Sequence, residues 1–277
     1  MLETIFPQND LLKKYIRYIY QFSSDDPNFK RQLVIFPNVG SAIAVYKNVD
    51  FLSENNQQFL SLEKQGRSGV ILHLNRIDPI TIKEEGRQKR IVIVFKPLGI
   101  NQFMSEPPAE LLRINNPSLI PIASFFGELE EFCKGPEMEQ PLHTSALIIE
   151  ELLFKRFKQF ANPVLDDAIN EIGKADKLSK IEEIASSVGA STKTLNRLFR
   201  KYIGLSSVEF RKITQFRNAL RNKLANQNAS FTNIAWDNSY YDLPYMIKVF
   251  KELTGISIKE FFSKLSYSED MQYVYIA

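Results

Sequence analysis

Apolar residues change period twice along this chain of 277 residues. Up to residue 95 they cluster in short runs: Leu33 to Phe36, Ala42 to Tyr46, Gly69 to Leu74, Ile80 to Lys83 and Arg90 to Phe95. Runs of that length, rich in Val and Ile and bounded by Pro, Gly and Asp, read as strands. Pro37-Asn38-Val39-Gly40 reads as a hairpin turn between the first two, and Asp78-Pro79 and Glu85-Gly86 as breaks. Ahead of them Asp10 to Phe22 carries Leu11, Leu12, Tyr15, Ile16, Tyr18, Ile19 and Phe22, a pattern that starts helical and finishes extended. Beyond Pro97-Leu98-Gly99 and the prolines from Pro107 to Pro121, helical spacing takes over at Ile122 to Phe132 and again at Thr144 to Phe160. In the second of these, Ala146, Ile149, Leu153, Phe157 and Phe160 share a face with Ile148 and Leu152 beside it. A stripe that broad must be covered, either by the chain's own strands or by the same helix of a second copy.

After Asn162-Pro163 the pattern becomes a repeat, which fixes architecture more firmly than any single element. Ile184-Ala185, Leu198-Phe199 and Gly204 to Phe210 recur as Ile234-Ala235, Val249-Phe250 and Gly255 to Phe261. Phe to Gly is five residues and Phe to Phe eleven in both copies, with one residue inserted ahead of the second Phe. Each copy reads as two helices joined by a tight turn. In the first, Ser179 with Glu182 is expected to open a short helix bearing Ile181, Ile184 and Ala185, Gly189 supplies the turn, and Ser191 caps the second helix. Leu195, Leu198 and Phe199 are expected in the core. Gly204 and Gly255 end the second helix of each copy, and Ser206 with Glu209, like Ser257 with Glu260, starts the next. A long helix from Ser206 to about Ala225, with Phe210, Ile213, Phe216, Leu220 and Leu224 inward, joins the two copies. In the second copy Asp242 is the expected cap, and Trp236 is expected in the core.

Charge separates these regions. Residues 174–265 hold sixteen Lys and Arg against eight Asp and Glu, a net +8, whereas residues 1–173 carry −3 and the tail −2. Such asymmetry suits a domain facing a polyanion, and equally a basic, solvated helical surface. The single Cys133 excludes an internal disulfide framework, and His73 and His143 are too few for a His-rich metal site. No Cys/His/Asp constellation surrounds Cys133, so no enzyme is indicated, and no cofactor or metal is expected. Neither a basic leader with an apolar run nor about 18 consecutive apolar residues occurs. A soluble, untargeted, cytoplasmic and nucleoid-associated protein is expected, without a membrane partner.

These paired motifs resemble the C-terminal domain of AraC/XylS-type transcription regulators over Ile181 to Phe262. The resemblance implies an α+β chain: a β-rich, degenerate cupin-like regulatory or dimerisation domain with C-terminal helices at 1–160, an all-α double helix-turn-helix DNA-binding domain at 164–265, and a tail at 266–277. It implies a sequence-specific transcription regulator, activation among its modes, whose two second helices enter successive major-groove segments about 34 Å apart. In the first unit it assigns Thr192, Lys193, Thr194, Asn196, Arg197 and Arg200 to DNA. Arg and Lys can donate to guanine, and Asn can pair with adenine. In the second unit it assigns Leu243, Pro244, Tyr245, Ile247, Lys248 and Lys251, a less polar set suited to thymine methyls and phosphates. The chain departs from the family at Ser239-Tyr240, where Gly and Phe are usual, and at Ser207 and Ile258, where Pro is usual. Ser239 at a positive-φ position is expected to reshape the second turn. The implied partners are promoter or operator DNA, RNA polymerase, a second copy of the chain in a homodimer, and a small-molecule effector. Tyr15, Tyr18, Phe36, Tyr46 and Phe95 are candidates either to line an effector pocket or to pack the core. The alternative function is a partner- or ligand-binding module whose degenerate second unit grips DNA only weakly.

Overall fold

Side-chain alternation sets the register of the first half. In the computed structural model, which describes residues 2–55, 57–115, 119–121, 126–174, 179–267 and 274–276, the strands are β1 (Leu2–Ile5), β2 (Ile16–Ser24), β3 (Lys30–Ile35), β4 (Ala42–Asn55), β5 (Gln58–His73), β6 (Ile80–Glu85) and β7 (Gln88–Phe95). Helices α1 (Pro108–Asn115), α2 (Gly127–Lys134) and α3 (Leu142–Arg156) follow, with the short strand β8 (Leu119–Pro121) between the first two. The α+β class is the one the pattern predicts. Two compact units divide the chain. Met1–Leu33, Gly40–Asn75 and Ile80–Phe160 form the first, and Val34–Val39, Arg76–Pro79 and Ala161–Ala277 the second.

The first unit is a curled sheet in the order β1-β2-β7-β4-β5-β6-β3, with β8 on β5. One face presents Ile19, Ile43, Val45, Val70, Leu72, Ile91 and Ile93, aligned across the strands as Ile19 with Ile93, Ile43 with both Ile93 and Leu72, and Val45 with Ile91. Leu129, Phe132 and Cys133 of α2 and Ala146, Ile149 and Leu153 of α3 close the core over that face. Ile148, Leu152 and Phe157 pack at its edge, so the stripe on α3 is covered by its own strands, while Leu147 and Phe154 remain exposed. The helix ends at Arg156, short of Phe160, and Ile122 lies outside the described residues. The opposite face of the sheet carries Tyr20, Val92 and Ala44 in one row and Phe22, Arg90 and Tyr46 in the next. Here buried Glu84 accepts from Arg31 at 2.5 Å and from Arg90, and both guanidiniums lie over the Phe22 ring. A shallow cavity of about 260 Å³ beside this cluster is lined by Lys30, Arg31, Gln32, Lys83, Glu84 and Glu85.

One expectation fails in this half. Pro37 to Gly40 joins no hairpin, because β4 pairs with β5 and β7 while β3 lies beside β6. Gly40 is required by close approach, since a Cβ there would collide with the Phe95 carbonyl. Of the two readings of the aromatic candidates, the structure bears out core packing: Tyr18, Phe36, Tyr46 and Phe95 are all buried. Phe95 lies in the helix-covered core with Tyr15 at its edge, Tyr46 packs on Phe51 at 5.4 Å, and Phe36 belongs to the second unit.

The second unit contains α4 (Pro163–Gly173), α5 (Ile181–Ser187), α6 (Thr192–Ile203), α7 (Ser207–Ala225), α8 (Phe231–Asp237), α9 (Leu243–Thr254) and α10 (Ile258–Lys264), with short strands β9 (Leu265–Tyr267) and β10 (Val274–Ile276). Asn162 opens α4 by accepting from Leu165 N, and Pro163 occupies the first turn, where its missing amide costs nothing. The joining helix α7 buries Phe210, Ile213, Phe216 and Leu220, while Leu224 is only partly covered. Among the described residues no helix is long and apolar enough to cross a membrane, and no cluster of three His, Cys, Asp or Glu side chains could hold a metal. Burial pushes the Cys133 thiol up to about 11, away from the thiolate form a nucleophile needs.

Candidate nucleic-acid interface

Two helix pairs, α5 with α6 and α8 with α9, are built by the same local chemistry. Ser191 Oγ accepts from Thr194 N at 3.1 Å and opens α6. Asp242 Oδ1 accepts from Tyr245 N at 2.7 Å and opens α9. Both helices end on a left-handed glycine, Gly204 at φ 86° and Gly255 at φ 78°. The turns match as well: Gly189 has φ 66° and Ser239 φ 55°, so Ser239 adopts the left-handed conformation instead of reshaping the turn. Two caps differ from expectation. The carboxylate that reaches back at the start of α5 belongs to Glu183, which accepts from Lys180 N, and so the box of Ser179 and Glu182 is displaced by one residue. Ser257 does cap α10, through Glu260 N, but the Glu260 carboxylate reaches Lys264 at 2.7 Å.

The apolar back of α6 is Leu195, Phe199 and Ile203, with Phe199 edge-on to Phe210 of α7 at 5.2 Å. Leu198, expected in the core, is only half-buried. On the outer face Thr192, Lys193, Arg197 and Arg200 are exposed, and the last three are spaced by four and three residues, as neighbours on one helical stripe must be. Thr194 is half-buried, its hydroxyl 3.0 Å from that of Ser191. Asn196 is also half-buried, and its Oδ1 accepts from Ser207 N at 3.2 Å, tying α6 to the start of α7.

On α9 the back is Met246, Val249, Phe250 and Leu253, and the outer face shows Pro244, Tyr245, Ile247, Lys248 and Lys251, with Leu243 partly covered. The expected contrast is therefore present. Trp236, by contrast, is 85% exposed and outside the core. Tyr241, which is not among the expected contact residues, is 92% exposed. The repeat held the signal for both: Trp236 aligns with exposed Ser186, and Tyr241 is the inserted residue ahead of the cap.

Residues 184–264, which span both helix pairs, match a family model described as a helix-turn-helix domain. The two helix pairs therefore lie within one helix-turn-helix domain. No curated protein matches the chain in sequence. Among solved structures it is similar to ToxT from Vibrio cholerae, with 13% identity over 95% of this chain and 98% of that one and a TM-score of 0.47. Unsaturated fatty acid-bound ToxT from the same organism gives 12%, 88%, 94% and 0.46 in the same order. An AraC-type transcriptional regulator from Chromobacterium violaceum gives 22%, 35%, 88% and 0.32.

Proposed function

We propose that this AraC-type domain reads an operator asymmetrically, with α6 and α9 in successive major-groove segments. The observation that supports this reading is the matched framework with unmatched faces: equal caps, turns and glycine stops carry a basic stripe on α6 and an apolar one on α9. Lys193 and Arg197 are the direct readers of guanine edges, Thr192, Thr194 and Arg200 contact phosphates and sugars, and Asn196 positions α6 through Ser207. On α9, Pro244, Tyr245 and Ile247 meet thymine methyls with Leu243 behind them, and Lys248 and Lys251 meet phosphates.

Binding-site selection with the purified chain, followed by titration at several salt concentrations, tests this. The operator is expected to contain two recognised segments about one helical turn apart, and log affinity to fall linearly with log salt by about 0.9 per phosphate contacted. Arg197→Ala is expected to cost about 1–3 kcal/mol and to relax preference at one position. Lys251→Ala should weaken all sequences alike and lower the slope by about 0.9. Salt-independent association, or no selected sequence, rejects the reading.

A second reading is favoured by the exposure of Trp236, Tyr241, Tyr245 and Ile247 together: the second pair engages a partner or ligand and holds DNA only weakly. Selection would then return a single segment, the one under α6. The first unit is the proposed sensing and dimerising part. The charged cavity near Arg31 and Glu84 is a candidate effector site, and exposed Leu147 and Phe154 on α3 are a candidate surface for a second copy. RNA polymerase is the proposed partner at the promoter.

A further inference from the structure

The second unit takes in two short pieces of chain from far upstream, and one of them completes the packing beneath α9. Phe36 is 1% exposed and stands edge-on to Phe261 of α10, with ring centroids 4.9 Å apart. Phe261 is in turn edge-on to Phe250 of α9 at 5.9 Å and to Phe216 of α7 at 6.1 Å, and Phe216 meets Phe250 at 4.8 Å. Phe36 thus adds a ring from upstream to the cluster on which the groove-facing helix of the second pair is seated, a cluster that Phe262 joins through Phe250 and Phe261. Edge-to-face aromatic pairs add directional preference to the burial itself, so removing one ring changes how the others settle.

The backbone around Phe36 is held as firmly as the ring. Arg217 of α7 donates from Nε to the Pro37 carbonyl at 2.7 Å and from Nη2 to the Phe36 carbonyl at 2.9 Å. Arg76, from the other upstream piece, donates from Nη2 to the Ile35 carbonyl at 3.0 Å. Three successive carbonyls are therefore satisfied by two guanidiniums that reach the segment from different parts of the unit. Bringing them together opposes their charges: loss of water, then the neighbouring Arg217, lowers the Arg76 pKa to about 9, with Asp78 partly compensating. No equivalent upstream residue is needed to account for the seat of α6, which rests on Phe199 against Phe210 and on Asn196 against Ser207 N, all within the helical part of the chain.

We propose that Phe36, clamped by Arg217 and Arg76, is a positioning residue for DNA recognition by α9, so that the second helix pair reads its segment only while Val34–Val39 is seated. The inference rests on the two-segment reading above. It makes recognition by α9, and not by α6, conditional on a piece of chain more than 200 residues away in sequence.

The test uses the full chain and its selected operator, with single base changes placed under α6 or under α9. Each costs the unaltered chain about tenfold or more in affinity. Phe36→Ala is expected to reduce the penalty of changes under α9 to less than about twofold while leaving penalties under α6 intact. Phe36→Met, which refills most of the volume, should restore the α9 penalties. Arg217→Met, which removes two carbonyl contacts without opening the ring cluster, should reproduce the α9-specific loss and decides the matter if Phe36→Ala does not fold. Undiminished α9 penalties in these variants overturn the inference, as do equal losses under both helices, the signature of general destabilisation. Absence of operator binding by the unaltered chain overturns the two-segment reading and this inference together. Sensitivity confined to α6 in the unaltered chain overturns both as well, whereas full sensitivity that persists in Phe36→Ala overturns this inference alone.

Discussion

Tyr240 shows how a single atom can matter in the second turn. It stands where a phenylalanine is usual in the family, and its ring is buried, 6.1 Å from that of Tyr245, yet its hydroxyl is enclosed without a hydrogen-bond partner. Burial raises the phenol pKa well above its ordinary value, as the loss of water around a charged form requires. A buried hydroxyl without a partner costs about 1–3 kcal/mol, and replacing it by an apolar group of the same shape removes that cost. Tyr240→Phe is therefore expected to stabilise the chain by about 1 kcal/mol or more in urea denaturation with an unchanged slope, and a loss of stability would show that the hydroxyl is satisfied. The neighbouring residues show what could be read in advance. The positive φ of Ser239 was legible because the Gly189 alignment demands it, but the reshaped turn expected from a serine there is absent. Trp236 was misplaced because residue type outweighed alignment: a large aromatic suggests a core, but its repeat partner is a serine on the surface.

At the scale of elements, caps were more legible than strand partners, because a cap is decided within four residues. The start of α7 is an example. Ser206 Oγ accepts from Glu209 N at 3.2 Å while the Glu209 carboxylate accepts from Ser206 N at 2.6 Å. Burial alone would raise the Glu209 pKa, but the Ser206 hydrogen bonds, with Arg200 and Lys212 nearby, bring it below the ordinary 4.5. A carboxylate lowered by folding contributes stability above its unfolded pKa and loses it as pH falls through the folded value. Glu209→Gln is expected to cost about 1 kcal/mol at pH 7, with the difference from the unaltered chain shrinking below pH 4.5. A difference that does not change with pH would assign the effect to shape and not to charge. Strand pairing, by contrast, depends on distant residues. Of β4 and β5 only the runs Ala42 to Tyr46 and Gly69 to Leu74 read as strands, and their pairing did not, since the exposed polar residues from Ser53 to Asn55 and the polar run from Glu63 to Arg67 hide the continuation of both. The expected hairpin at Pro37 failed because that segment leaves the sheet to join the second unit.

For the whole molecule, the charge asymmetry and the repeat made the helix-turn-helix part and its basic stripe legible, but not the crossing of the chain between units. Composition carries no trace of it, since Val34 to Phe36 has the β-rich character of any strand and only the contacts of Phe36 reveal its destination. That crossing has a consequence for cooperativity. Val34–Val39 is continuous with strands of the first unit at both ends, and Arg76–Pro79 lies between β5 and β6. Melting the sheet therefore releases both segments from the second unit, removing a ring from the cluster beneath α9 and two carbonyl acceptors from Arg217 of α7, while α6 retains its own support. Local opening follows such units of shared packing. Amide hydrogen exchange in mild denaturant is accordingly expected to show α9 exchanging together with β3 and β6, and α6 more slowly than α9. In Phe36→Ala, α9 should exchange faster still, without a change in β3 or β6. Equal protection of α6 and α9 under all conditions would show that the second unit opens as one body, and that the upstream segment lends it no separate stability.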